Sequence, residues 1–149
     1  MQRLRSTRKT GFTLVEILIV VIILGILAAI VIPQFTNASQ DARKSSLTSQ
    51  LQTLRSQVQL FKLQHGDTLP DLVTSWAPLT TQTTYNTTNF GPYMQAAPTN
   101  PLNSKSNVVN GTSAAASGTV CGFIYDYSAG TGTGRIWGTD TDGKAVYVE

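Results

Sequence analysis

The chain has 149 residues, with 11 Lys and Arg against 8 Asp and Glu, one His and one Cys, and a formal charge of +3. Arg3, Arg5, Arg8 and Lys9 carry the excess; from Pro33 onward seven basic residues face seven acids, which argues against a nucleic-acid-binding surface. The single cysteine excludes an intramolecular disulfide, and no nucleophile–base pair, phosphate loop or Cys/His metal spacing supports an enzyme.

The first predicted element lies in "TGFTLVEILIVVIILGILAAIVIP", Thr10 to Pro33. Phe12 to Ile32 are 21 apolar-rich residues. At about 1.5 Å per residue they make a helix of roughly 31 Å, the thickness of a bilayer core. The preceding flank is basic, and the following one is uncharged until Asp41, Arg43 and Lys44. By the positive-inside rule the amino terminus stays in the cytoplasm and the remainder lies outside. A cleaved secretory signal is the alternative for a basic start and an apolar run. Its apolar region would be about 7–15 residues and end at a small-residue site, unlike "LAAIVIP". Gly25 permits close helix contact. Pro33 lacks an N–H and clashes with the carbonyl of Ala29, so it marks either a membrane-boundary kink or a segment that melts on assembly.

Next comes an amphipathic helix over residues 34–65. Leu47, Leu51, Leu54, Val58 and Phe61 recur at spacings of 4, 3, 4 and 3, one face of a helix. Gly66 supplies a left-handed stop, with Pro70 beyond it, and His65 sits where it can interact with the helix dipole. If Pro33 only kinks the chain, Phe12 to His65 is one helix of about 54 residues, roughly 80 Å long. Residues 66–118, rich in Thr, Asn, Ser and Pro, read as a long surface loop fixed by Pro92, Pro98 and Pro101. Residues 119–149 read as a β-meander of "VCGFIYDY", "RIWG" and "KAVYV". Cys121 alternates onto the face of Phe123, Tyr125 and Tyr127 as a buried apolar thiol, and Trp76 and Trp137 read as core. Asp142-Gly143 signals a tight hairpin. The expected fold is α+β: a long N-terminal helix, half transmembrane and half amphipathic, packed through its Leu47 face on a small C-terminal antiparallel sheet. No cofactor is expected. Asp140 and Asp142 are calcium candidates at i, i+2, too few acids to complete a site, and turn residues are the simpler reading. "NAS", "NTT" and "NGT" match the glycosylation acceptor pattern, a weak signal.

"GFTLVE" after a short basic leader resembles the processing site of type IV prepilins and type II secretion pseudopilins. The resemblance is strong from Met1 to about Phe35 and implies a pilin-like fold. It implies that a prepilin peptidase cuts between Gly11 and Phe12 and methylates Phe12. The leader is then residues 1–11, the transmembrane and assembly helix 12–32, and the periplasmic globular domain 33–149. It further implies an inner-membrane protein with a cytoplasmic amino terminus that assembles into a helical fibre. Its partners would be minor pseudopilins and an inner-membrane secretion platform, with lipid around the helix and no nucleic acid. "LFKLQHGDTLP" and "FGPYMQAAPTNPLN" are similar to the helix end and proline-bracketed loop of the major pseudopilin. The chain departs from that subfamily at Asn100-Pro101-Leu102-Asn103, where Asp-Pro-Trp-Gly is usual, and in its acidic calcium-binding loop, reduced to Asp140 and Asp142. It departs from major type IV pilins in having one cysteine. The expected function is a structural subunit of a type II secretion pseudopilus. A type IV pilus subunit for adhesion, motility or DNA uptake, and a monomeric membrane-anchored binding domain, fit the same residues and stay open.

The resemblance gives Glu16 a partner. A carboxylate within a membrane helix costs about 2–3 kcal/mol on insertion scales, less near a helix end, and the segment after Gly11 contains no cation. Cleavage would create one, the amine of Phe12. The chain's own amine lies about 6 Å along the axis from Glu16. A neighbour shifted axially brings its amine closer, so Glu16 is the expected register-setting group of assembly. A carboxylate that snorkels to the headgroups or is protonated is the simpler state of the isolated chain.

Overall fold

The structure, a computed structural model, describes residues 11–112 and 119–144. The basic leader before Gly11 and the expected strand "KAVYV" beyond Lys144 lie outside the described residues. The chain divides into two compact units, Met1–Ser39 and Gln40–Glu149.

Helix α1, Leu14–Gln64, contributes to both units. In the first unit its side chains are exposed throughout, from Leu14 at 82% to Ile32 at 63%. It is the one helix among the described residues long and apolar enough to cross a membrane. Pro33 lies inside it. The missing N–H leaves the Ala29 carbonyl without its usual intrahelical donor, and the Thr36 hydroxyl donates to the Ile32 carbonyl at 3.1 Å.

In the second unit the same helix becomes amphipathic. Leu47, Leu51, Leu54, Val58 and Phe61 are its buried residues, the face expected from the 4-3-4-3 spacing. The helix ends as the sequence suggests. Gly66 adopts φ +60° and the Asp67 N–H bonds back to the Lys62 carbonyl at 2.9 Å, a Schellman-type closure. The His65 ring stacks on Phe61 with centroids 3.8 Å apart. Its Nδ1 lies 3.0 Å from the Phe61 carbonyl and its Nε2 3.0 Å from the Thr83 hydroxyl, so His65 ties the helix end to the following segment.

The stretch 66–118, expected as loop, contains regular structure. Helix α2 is Ala77–Thr80, and β1 (Thr83–Tyr85) pairs antiparallel with β2 (Thr88–Phe90). Asn86 and Thr87 between these strands have φ +46° and +66°, the conformation of a type I′ hairpin turn. Strand β3, Val108–Asn110, opens a three-stranded sheet of order β3-β4-β5, with β4 Phe123–Tyr125 and β5 Ile136–Gly138. β4 and β5 are antiparallel, with Ile124 opposite Trp137, as a meander requires. β3 runs parallel to β4, with Val109 opposite Ile124, so the sheet is mixed rather than wholly antiparallel. Residues 111–122 join these two strands, long enough for the crossover that parallel pairing needs.

The helix face meets Val108, Phe123, Tyr125 and Ile136 in one apolar cluster with Leu69, Leu72, Leu79 and Leu102. Gly138 makes the approach of helix to strand fit: a Cβ there would lie 2.8 Å from Leu47 Cδ2. Trp76 packs against this cluster edge-on to Phe123. Trp137 packs with Val109 on a second, smaller cluster of Cys121 and Ile124. Cys121 is buried as expected but on that opposite side, not with Phe123 and Tyr125. Regular β alternation starts only at Phe123, so counting by twos from Cys121 fails. Burial pushes the Cys121 thiol above its ordinary value, which makes it a poor nucleophile.

Candidate processing and assembly site

Gly11, Phe12 and Thr13 lead into α1, and Glu16 lies in its first turn. Thr13 is the residue before the first helical position, Leu14, and Glu16 is the third residue of the helix. The Glu16 N–H donates to Thr13 Oγ1 at 3.2 Å. In return Glu16 Oε2 accepts the Thr13 N–H at 2.9 Å and the Thr13 hydroxyl at 2.8 Å. This is a reciprocal capping box, which satisfies two of the helix's otherwise orphaned N–H groups. Thr13-Leu14-Val15-Glu16 carries its sequence signature, and the reading of Glu16 as purely intermolecular missed it. An acid in the first turn also faces the positive end of the helix dipole. The Glu16 carboxylate therefore has a partner within its own chain, before any neighbour arrives. Both bonds fall on Oε2, and nothing among the described residues bonds Oε1.

The surrounding residues are open. Phe12 is 81% exposed. A methyl group added at Gly11 or Gly25 would meet nothing within 4 Å. A mid-helix glycine costs about 1 kcal/mol relative to alanine, and the single chain offers Gly25 no compensating contact. Pro33 lies farther along the same exposed helix. Thus the structure joins Thr13 and Glu16, leaves Phe12 exposed beside them in sequence, and leaves Gly25 and Pro33 as separate positions farther along the helix.

Asp140 and Asp142 occupy a turn after β5, closed by a 2.8 Å bond from the Gly143 N–H to the Asp140 carbonyl. Their carboxylates accept local backbone N–H groups, Asp140 Oδ1 from Thr141 at 2.7 Å and Asp142 Oδ1 from Lys144 at 2.9 Å.

Comparison with known proteins agrees with the geometry of the amino-terminal site. The prokaryotic N-terminal methylation motif matches residues 6–32. Type II secretion system core protein G of Dickeya chrysanthemi is 40% identical over 59 residues, 40% of this chain and 39% of that protein. The core protein G of Pseudomonas aeruginosa is 34% identical over 62 residues, 42% and 44% of the two chains. That of Escherichia coli is 35% identical over 63 residues, 42% and 43%. The chain thus spans less than half the length of these curated relatives. No solved structure matches. A chain whose N-terminal methylation motif, residues 6–32, takes in the apolar start of α1 is similar, over about two-fifths of its length, to the type II secretion core proteins G.

Proposed function

We propose that this protein is a structural subunit of a type II secretion pseudopilus. The observation that carries the reading is the methylation motif at residues 6–32, which overlaps the start of an α1 whose apolar side chains are exposed throughout the first unit. Such a surface needs lipid or other copies of itself to cover it. The chain is inserted in the inner membrane with its amino terminus cytoplasmic and its second unit periplasmic. A prepilin peptidase cleaves between Gly11 and Phe12 and methylates Phe12. Among the described residues nothing obstructs a side chain at Gly11, so the requirement for glycine there belongs to the peptidase's approach to the backbone.

Extraction then replaces lipid contacts with contacts between helices. Gly25 allows two backbones to approach closely, and Pro33 weakens the helix at a point where packing subunits can loosen it. Glu16 retains its capping bonds on Oε2 while Oε1 accepts the Phe12 amine of an axially shifted neighbour. An ion pair buried in this way is stringent about register, because an unpaired charge there is heavily penalised. Minor pseudopilins and the inner-membrane platform supply initiation and extraction.

The test is coexpression with a prepilin peptidase, followed by intact mass of the product and a secretion assay in cells lacking their own core subunit. The reading requires a mature chain starting at methylated Phe12 and restored secretion. A chain still starting at Met1, or cut after Ala29, contradicts the processing step. Correct processing with surface pili and no secretion would assign the chain to a type IV pilus.

A further inference from the structure

The turn after β5 holds the two acids nearest to forming a calcium site, and its surroundings are already filled. Two buried or half-buried asparagines from the 100–103 loop point their amide nitrogens into a group of five oxygens. The two N–H groups of Asn103 Nδ2 are shared among three acceptors, the Cys121 carbonyl at 3.1 Å, Thr139 Oγ1 at 2.8 Å and the Asp140 carbonyl at 3.0 Å. Asn100 Nδ2 donates to the carbonyls of Gly122 and Thr139, both at 2.8 Å. The Thr139 hydroxyl completes the group, its one proton lying between the Cys121 and Gly122 carbonyls. Asn100 and Thr139 are fully buried.

The amide orientation follows from the network. Asn100 Oδ1 accepts the Leu102 N–H at 2.9 Å and Asn103 Oδ1 accepts the Lys105 N–H at 3.1 Å. Flipping either amide would aim an oxygen at carbonyl oxygens. Each side chain thus shapes its own loop with one end and fastens the β4 and β5 segments with the other.

We propose that the Asn100 and Asn103 amides do here what a divalent cation would otherwise do, so that the turn carrying Asp140 and Asp142 neither takes nor needs calcium. Calcium binds six to eight oxygens at about 2.3–2.6 Å and gains affinity from carboxylates. In this cluster the central atoms are nitrogens, and the surrounding oxygens accept N–H and O–H donors. Asp140 Oδ1 and Asp142 Oδ1 are turned to the backbone of their own turn. Among the described residues no three His, Cys, Asp or Glu side chains gather to hold a metal. The inference is independent of the fibre role, since it concerns what holds the second unit together.

The experiment is a set of thermal melts of the full chain in detergent, in EGTA and in millimolar calcium chloride, for the native protein, Asn103→Ala and Asn103→Asp. The native melts superimpose in the two buffers, and both variants melt several degrees lower than the native protein in EGTA. A bound ion present well above its dissociation constant would raise the native midpoint by several degrees. That rise would overturn the proposal, and so would an Asn103→Ala variant that melts with the native protein. Should Asn103→Ala fail to fold, the native comparison between the two buffers still decides.

Discussion

Tyr125 is the largest fully buried side chain, and its hydroxyl has no hydrogen-bond partner among the described residues. Burial pushes the phenol above its ordinary value of 10.0, with Tyr127, Asp126 and Asp71 nearby adding to the shift. A buried donor left unmet costs about 1–3 kcal/mol, so Tyr125→Phe should leave stability unchanged or raise it by about 1 kcal/mol in denaturant melts. A clear loss would reveal a partner for the hydroxyl. The neighbouring Asp126 is the opposite case. Its Oδ2 accepts the Thr133 hydroxyl at 2.6 Å and the Thr133 N–H at 3.0 Å, and its Oδ1 accepts the Ser128 hydroxyl. The Thr133 bonds hold the carboxyl below its ordinary value of 3.8. A carboxyl lowered on folding stabilises the native state fully above its unfolded value; the contribution is lost as pH falls through the folded one. Stability measured against pH should therefore show the native protein and Thr133→Val differing at neutral pH and converging below about pH 3.8. A difference that stays constant with pH would remove Asp126 from the account.

The second half of α1 was legible in the sequence because it obeys one rule without interruption. Its five apolar residues keep helical spacing, and Gly66 ends it with the positive φ that favours glycine. Leu54 is fully buried on that face, so Leu54→Ala should cost about 2–5 kcal/mol in denaturant unfolding. An unchanged midpoint would contradict the packing of helix on sheet. Gly138→Ala should also destabilise, by about 1–3 kcal/mol, because its methyl would press on Leu47. β1 and β2 were not legible: their residues are half-buried or exposed and none is buried, so Thr83–Tyr85 and Thr88–Phe90 carry no apolar alternation. β3 was hidden for another reason. Its parallel partner lies across a long crossover, and local pattern does not report a non-local pairing. At the site, Gly11 and Glu16 stood out as a leader boundary and an acid in an apolar run. The Thr13 cap was written in the same six residues, in the Thr-x-x-Glu spacing. But one residue serves both as cap and as acid in an apolar run, and spacing alone does not separate the two roles.

At the scale of the molecule, two units divide the work. Among the described residues, every buried apolar side chain lies at or beyond Leu47, within the second unit, whereas the apolar side chains of α1 in the first unit are exposed. Residues 36–149 should accordingly fold as a soluble monomer, seen as a single species with a cooperative melt; an aggregated or unfolded product would mean that the apolar segment is needed for the core. In the proposed function the exposed apolar segment assembles with copies of itself through the Glu16 charge. Glu16→Gln separates the two roles of this residue, since glutamine can keep the capping box but cannot pair with an amine by charge. The most direct measurement is the yield of sheared fibres from Glu16→Gln and native protein at matched membrane levels, after intact mass has shown equal cleavage before Phe12. Breaking one side of a buried ion pair costs about 3–5 kcal/mol, several hundredfold or more in an association constant. The account predicts normal cleavage and a near-complete loss of fibres; fibres at the native level would show that Glu16 serves α1 as a cap and does not set the register of assembly.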